Sequence, residues 1–127
     1  MQATRVSENA VVAVMFHGVP HPAVILEDRG DKVLLVISGT GQHYPDKTAI
    51  AVDAHRAEGK SMRLHKRTYF YHSGAKLRDV SELQPWRDNK GKCPPLLASK
   101  LLAMALEAID EQVPSALAIV DPPSTSV

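Results

Sequence analysis

The sequence predicts a mainly β fold with a C-terminal α-helix, in the form of a small SH3-like barrel. The apolar runs of the first two-thirds are short, rich in Val and Ile, and separated by turn residues, which is how strands read. No strand–helix–strand alternation of the kind that builds parallel sheets is visible. The chain changes character after Pro94-Pro95, where a long stretch almost free of helix breakers begins. A length of 127 residues corresponds to one domain, assigned to 1–113, with 114–127 as a flexible tail.

Val11 to Phe16 reads as the first strand. Pro20 and Pro22 bracket a turn or an edge, and Ala23 to Leu26 follows as the second strand. The polar segment Glu27 to Lys32 then makes a hairpin loop into Val33 to Ile37, whose continuous apolarity predicts burial on both faces. Ser38-Gly39-Thr40-Gly41 ends that strand, and its two glycines permit positive φ and close approach of a ligand to the backbone. Thr48 to Asp53 alternates at period two as a fourth strand, and Ala54 to Ser61 is either a helical turn or a loop. Thr68 to Tyr71 is a fifth strand with Tyr69 and Tyr71 on one face and Thr68 and Phe70 on the other. Asp79 to Leu83 reads as a short closing strand. With Pro95 suited to a first helical turn, one helix is predicted to about Glu111. Its apolar arc is broader than docking on one small sheet requires, so it serves the core or a subunit interface, a homodimer being the simplest closed form. An SH3-like barrel is preferred to an OB-fold because no convincing helix separates the third and fourth strands.

Charge is segregated. Residues 60–92 hold nine Lys/Arg against three acids, a net +6, while 1–59 sum to −2 and 93–127 to −3. The overall +1 conceals a basic centre that attracts phosphates by counterion release. Tyr69-Phe70-Tyr71 falls inside the same window, and rings beside cations are how single-stranded RNA is held. Arg63, Lys66, Arg67 and Tyr69 are the candidate RNA-binding residues; a solvated basic face is the plainer alternative. The apolar runs fall short of a membrane span, residues 1–10 lack the apolar stretch of a secretion signal, and Cys93, the one cysteine, points to a reducing cytoplasm. Neither a metal nor another cofactor is expected. His17 and His21 are four apart, but Gly18 and Pro20 between them break the helical face on which such a pair would converge.

Three segments combine into a candidate catalytic set. If the second and third strands pair as a hairpin, His21 and Thr40 both lie at the end of the sheet opposite the 27–32 loop, with the 63–68 segment supplying cations. RNA cleavage needs a base for the 2′-hydroxyl proton, an acid for the leaving oxygen and donors for the phosphorane. His21 is the acid/base candidate because imidazoles titrate near neutrality. Thr40 and Ser38 would hydrogen-bond the scissile phosphate, unless both serve only their own loop.

The order of the segments 18-Gly-Val-Pro-His-Pro-Ala-Val-Ile-Leu-26, Val33 to Thr40, and Leu64-His65-Lys66-Arg67-Thr68-Tyr69, closed by a C-terminal helix, resembles the PemK/MazF family of toxin endoribonucleases. The likeness covers roughly residues 10–110. It implies an SH3-like barrel, usually dimeric, that cuts single-stranded RNA without metal and is neutralised by an antitoxin peptide lying over the active groove. The family's catalytic arginine falls on His21 and its catalytic Thr or Ser on Thr40 or Ser38. Histidine does not reproduce a permanently charged guanidinium with five donors, and the usual Gly/Arg-rich loop between the first two strands is shortened to Gly18.

Overall fold

Six strands form one antiparallel sheet in the order β4-β5-β3-β2-β1-β6, with a long C-terminal helix packed on one face. The computed structural model describes residues 8–120, with side chains described through residue 110. The strands are β1 (Val11–Phe16), β2 (Val19–Asp28), β3 (Val33–Thr40), β4 (Ala49–Val52), β5 (Thr68–Asp79) and β6 (Leu83–Pro85). The helices are α1 (Ala57–Ser61) and α2 (Pro95–Val120). The fold is therefore mainly β with a C-terminal helix, and β4 and β6 are the sheet's edges.

β1 and β2 are joined by a two-residue turn in which His17 (φ 51) and Gly18 (φ 78) both take left-handed conformations. That is the pattern whose twist matches a tight hairpin. β3 is buried on both faces, since Leu34, Leu35, Val36 and Ile37 are all at most 1% exposed. On one face Val24, Leu35, Ile37 and Phe70 pack against Leu101, Ala105 and Ala108 of α2. On the other, Val14, Ala23, Ile25, Leu34 and Val36 form a second cluster, covered in part by Phe16, Val80 and Leu83. Each such side chain contributes about 1.5–3 kcal/mol by burial, so the two-sided centre of the sheet is the main source of stability.

β5 is three times longer than the run of aromatic residues suggested, because it bends. It pairs β3 from Ile37/Ala75 to Val33/Asp79, then resumes at Gly39/Phe70, so that four residues from Tyr71 to Gly74 face Ser38 alone. The short N-terminal part of β5 also pairs β4, from Val52/Thr68 to Ala49/Tyr71. One strand thus carries the sheet around a corner, and the bend holds the end of β3 against the 41–48 loop.

Several local expectations change. Pro20 and Pro22 stand inside β2, opposite Met15 and Ala13 of β1, instead of bracketing a turn. They are tolerated because the β2–β3 ladder begins only at Ala23/Ser38, leaving that stretch of β2 without a partner on its second side. Residues 80–82 form one 3₁₀ turn instead of a strand, because Asp79 and Glu82 make a reciprocal capping box, and the closing strand follows it at Leu83–Pro85. α2 continues past Glu111 to Val120, with Pro114 inside it. Residues 114–120 of the expected tail are therefore helical, and 121–127 lie outside the described residues.

The broad apolar arc of α2 is taken up by the core. Ala98, Leu101, Ala105, Ala108 and Ile109 are buried, and Leu97, Leu102 and Met104 pack against them in part. Leu96, 80% exposed, and Leu106 remain outside. Leu101→Ala is expected to cost about 2–5 kcal/mol in urea unfolding, against within about 0.5 kcal/mol for Leu96→Ala. Equal losses would show that the two residues share a buried environment, as they would across a subunit interface.

Candidate functional site

The ends of β2 and β3, the 41–48 loop and the segment after α1 meet at the end of the sheet remote from the 29–32 turn. Two clefts open there. One, of about 460 Å³, is lined by Pro20, His21, Thr40, Lys66, His65 and Trp86 among others. The second, of about 290 Å³, is lined by His21, Ser38, Thr40, Tyr44, Lys47 and Tyr71 among others. His21 and Thr40 line both and so stand on the saddle between them.

The orientation of His21 follows from the backbone around it. Ile25 turns its N–H toward the β1 side, where it donates to the Ala10 carbonyl at 3.0 Å. Alternation along an antiparallel strand then aims the even-numbered positions of β2 at β3. Carrying the register one step beyond Ala23/Ser38 sets Pro22 opposite Gly39. A residue with an N–H at 22 would donate to the Gly39 carbonyl; proline has none. The His21 imidazole takes that place, with Nδ1 3.2 Å from the Gly39 oxygen. A carbonyl only accepts, so Nδ1 carries the hydrogen and Nε2 of the neutral ring keeps its lone pair. Phe16, diagonal to His21 across the β1–β2 pair, meets the imidazole edge-on with centroids 5.1 Å apart. The Arg78 guanidinium lies over Phe16 at 5.5 Å and pairs with Glu82 at 3.1 Å.

Gly39 and Gly41 serve the protein's own packing, not a left-handed turn, since neither has positive φ. A Cβ at Gly39 would come within 2.5 Å of the Thr68 methyl and 2.9 Å of Phe70. One at Gly41 would meet Cε of Lys66 at 2.7 Å. The first glycine seats the carbonyl that His21 needs, and the second lets the Lys66 side chain cross the loop into the larger cleft. Thr40 Oγ1 accepts the Gln42 N–H at 3.1 Å, which leaves its O–H to act as donor. Ser38 Oγ donates to the Gly74 carbonyl at 3.5 Å, a long contact at the bend of β5.

Around this saddle, exposed rings are backed by less exposed ones. His65 stacks on buried Trp86 at 5.7 Å, and the indole N–H donates to the Arg63 carbonyl at 3.1 Å. Tyr44 meets buried Tyr71 edge-on at 5.4 Å, with the Lys47 ammonium 5.3 Å above its ring. Tyr71 also fixes the 41–48 loop, its hydroxyl accepting the Tyr44 N–H at 2.7 Å and donating to the Gln42 carbonyl at 3.0 Å. A third set lies beside the clefts, where His43 stacks on Tyr69 at 4.9 Å and Arg67 Nε donates to the Tyr69 hydroxyl at 3.1 Å.

Of the residues that the sequence singled out, His21, Thr40 and Lys66 come together in the larger cleft, and His21, Thr40 and Ser38 in the smaller. Arg67 and Tyr69 form the adjoining pair. Arg63 has another task. Its φ of 62 places it at the left-handed position closing α1, where Arg63 N–H donates to Lys60 and Leu64 N–H to Gly59. Its guanidinium pairs with Asp88 at 3.1 Å and with the Lys60 carbonyl. Phe16, Tyr44, Lys47 and Trp86 were missed, because Phe16 arrives at the end of β1 and the other three from positions outside the strands, and no local spacing announces that. Cys93 is a core residue, and burial pushes its thiol up to about 12. Among the described residues no three His, Cys, Asp or Glu side chains group so as to hold a metal ion, and no helix is long and apolar enough to cross a membrane. A scan against protein-family models finds no match, and a search of curated proteins finds none either.

Two expectations follow. Pro22→Ala restores an N–H aimed at the Gly39 carbonyl, so imidazole nitrogen NMR is expected to show His21 shifting from the Nδ1–H toward the Nε2–H tautomer, and an unchanged tautomer would refute the link. Asp88 is held below its ordinary 3.8 first by the Arg63 guanidinium and then by the Lys90 N–H. A lowered folded-state value gives stability that is present above the ordinary value and lost as pH falls through the folded one. Asp88→Asn is thus expected to lower the melting temperature at neutral pH, with the difference from wild type closing in acid.

Proposed function

We propose that this protein is a metal-independent endoribonuclease that cuts single-stranded RNA, the toxin of a type II toxin–antitoxin pair, as its resemblance to the PemK/MazF family implies. The observation that carries the reading is the fixed imidazole of His21 on a saddle shared with Thr40, between two ring-bearing clefts each with a lysine. In this mechanism Nε2 of His21 takes the 2′-hydroxyl proton as the 2′-oxygen attacks phosphorus. The bond to the 5′-oxygen breaks, water protonates that leaving oxygen, and the products are a 2′,3′-cyclic phosphate and a 5′-hydroxyl. Thr40 donates its O–H to a non-bridging oxygen, and the Lys66 ammonium offsets the charge that builds on the phosphorane. Ser38 borders the smaller cleft from β3, opposite the bend of β5. Arg67 and Tyr69 extend the positive, aromatic surface along the strand leading away from the cleft, and Arg63 supports it from below through Asp88.

An antitoxin peptide would lie over the two clefts, its acidic side chains meeting Lys47, Lys66 and Arg67. A homodimer is not required by this reading, since the helix arc that suggested one packs in the core. The second reading, a non-catalytic SH3-like barrel binding RNA or a protein partner, is favoured by one observation. Among the described residues no arginine lines either cleft, and a histidine stands at position 21, where the family's catalytic arginine falls.

Purified protein incubated with mixed single-stranded RNA in EDTA is expected to leave cyclic-phosphate and 5′-hydroxyl ends. Losing a proton-transfer group costs about 10²–10⁴ in rate, so His21→Ala should slow cleavage that far with an unchanged circular dichroism spectrum. If neither the wild type nor His21→Arg cuts RNA, the binding-module reading replaces the enzyme.

A further inference from the structure

The rings around the saddle differ from an ordinary scatter of surface aromatics, because the exposed ring in each cleft rests on a buried one. His65 is exposed and lies nearly parallel to Trp86, with 22° between the planes, while Trp86 is 4% exposed. Tyr44 is 44% exposed and stands against Tyr71, which is 6% exposed and hydrogen-bonded to Gln42 and Tyr44 of the same loop. A ring held from beneath has already lost its rotamer freedom, so a base that stacks on it pays little further ordering cost. Each of these rings also has a lysine within its cleft, Lys66 beside His65 and Lys47 over Tyr44.

We infer that the two clefts are separate base subsites of one dinucleotide step, His65 stacking the base on one side of the scissile phosphate and Tyr44 the base on the other. This rests on the reading of the site as one that holds single-stranded RNA. The phosphate between the two bases then falls on the saddle where His21 and Thr40 stand, since those residues line both clefts. The smaller cleft, at about 290 Å³, lies at the lower end of the range for small-ligand sites and admits a single base. A base entering it takes the Tyr44 face that the Lys47 ammonium now covers, and the freed ammonium can meet the phosphate on the saddle. Base contact here is by ring faces, which every base has, so the step is selected by geometry before sequence. The recognised unit is a splayed pair of nucleotides; a mononucleotide fills half the site, and duplex RNA, whose bases are stacked on each other, fills none of it.

The probes are uncleavable 2′-O-methyl oligonucleotides of mixed sequence, one, two and four nucleotides long, titrated by calorimetry and by NMR on the full chain. The dinucleotide is expected to shift both the His65 and Tyr44 ring resonances and to bind at least about tenfold more tightly than the mononucleotide, with a smaller gain from two to four. Stacking on one aromatic side chain corresponds to about five- to hundredfold in affinity, so Tyr44→Ala and His65→Ala should each weaken the dinucleotide about tenfold or more. Tyr44→Phe and His65→Phe, which keep the rings, should retain it, and that pair of results separates lost stacking from lost folding. Dinucleotide affinity indifferent to both alanine variants, or no dinucleotide binding at millimolar concentration, overturns the inference, and tight binding of an acidic peptide in that second case would assign the clefts to a protein partner. Cleavage of natural RNA is followed in parallel so that the two ideas fail separately. Cleavage unaffected by Tyr44→Ala and His65→Ala removes the subsites and leaves the nuclease, whereas ring-dependent binding without cleavage keeps the subsites and removes the nuclease.

Discussion

The site is organised by a carbonyl that its own sheet cannot satisfy. Pro22 deprives the Gly39 oxygen of the ladder bond that the register would have provided, and a buried carbonyl without a donor costs on the order of 1–3 kcal/mol. His21, one residue earlier on the same strand, restores the bond with its ring. The same contact that settles the backbone therefore settles the tautomer of the imidazole. Gly39 has to be a glycine for this to work, because Thr68 and Phe70 close over it and a side chain there would push β3 away from β5. The bend of β5 lies beside this contact, since β5 leaves β3 after Phe70, opposite Gly39, and rejoins it at Ala75, opposite Ile37.

Electrostatics in the neighbourhood is less uniform than a net charge of +6 suggests. Arg63 and Arg78 are held by Asp88 and Glu82, each pair exposed on at least one side and worth little individually. Their value is positional: Arg63 closes α1 and fixes the segment bearing His65 and Lys66, and Arg78 supports Phe16 against His21. The cations that border the clefts are Lys66 from inside the basic window and Lys47 from outside it. Sequence clustering of charge singles out the segment that bears Lys66, but only part of that charge borders the clefts.

Much of the fold was legible because it depends on local pattern. The Val/Ile runs gave β1 and the core of β3, and the absence of helix breakers gave the start of α2 at Pro95. What was not legible involved pairing. The bend that lengthens β5 depends on its register with β3, and the capping box that turns 80–82 into a 3₁₀ turn depends on two acids three residues apart competing with a strand pattern. The prolines of β2 looked like turn markers because their missing partner strand is a property of the sheet, not of the segment. At the site, His21 and Thr40 could be placed together from the hairpin alone, whereas Tyr44, Lys47 and Trp86 arrive from loops whose course is set by the Tyr71 hydroxyl and the Trp86 indole.

Under the proposed reading, a histidine at position 21 in place of the arginine of the PemK/MazF family changes what that position can contribute. A guanidinium could also donate to the Gly39 carbonyl, but every nitrogen it has is a donor, so it cannot accept a proton from a hydroxyl. An imidazole anchored through Nδ1 offers one acceptor and no permanent charge. Under the proposed mechanism, proton acceptance gathers at His21 and charge stabilisation passes to the lysines on either side. Lysine is a flexible point charge that reaches a phosphate without prescribing its angle, so alignment of the phosphate has to come from elsewhere. Under the same mechanism, the fixed elements available for that alignment are the Thr40 hydroxyl and the two supported rings, and the aromatic pairs would help to position the phosphate instead of forming an accessory surface.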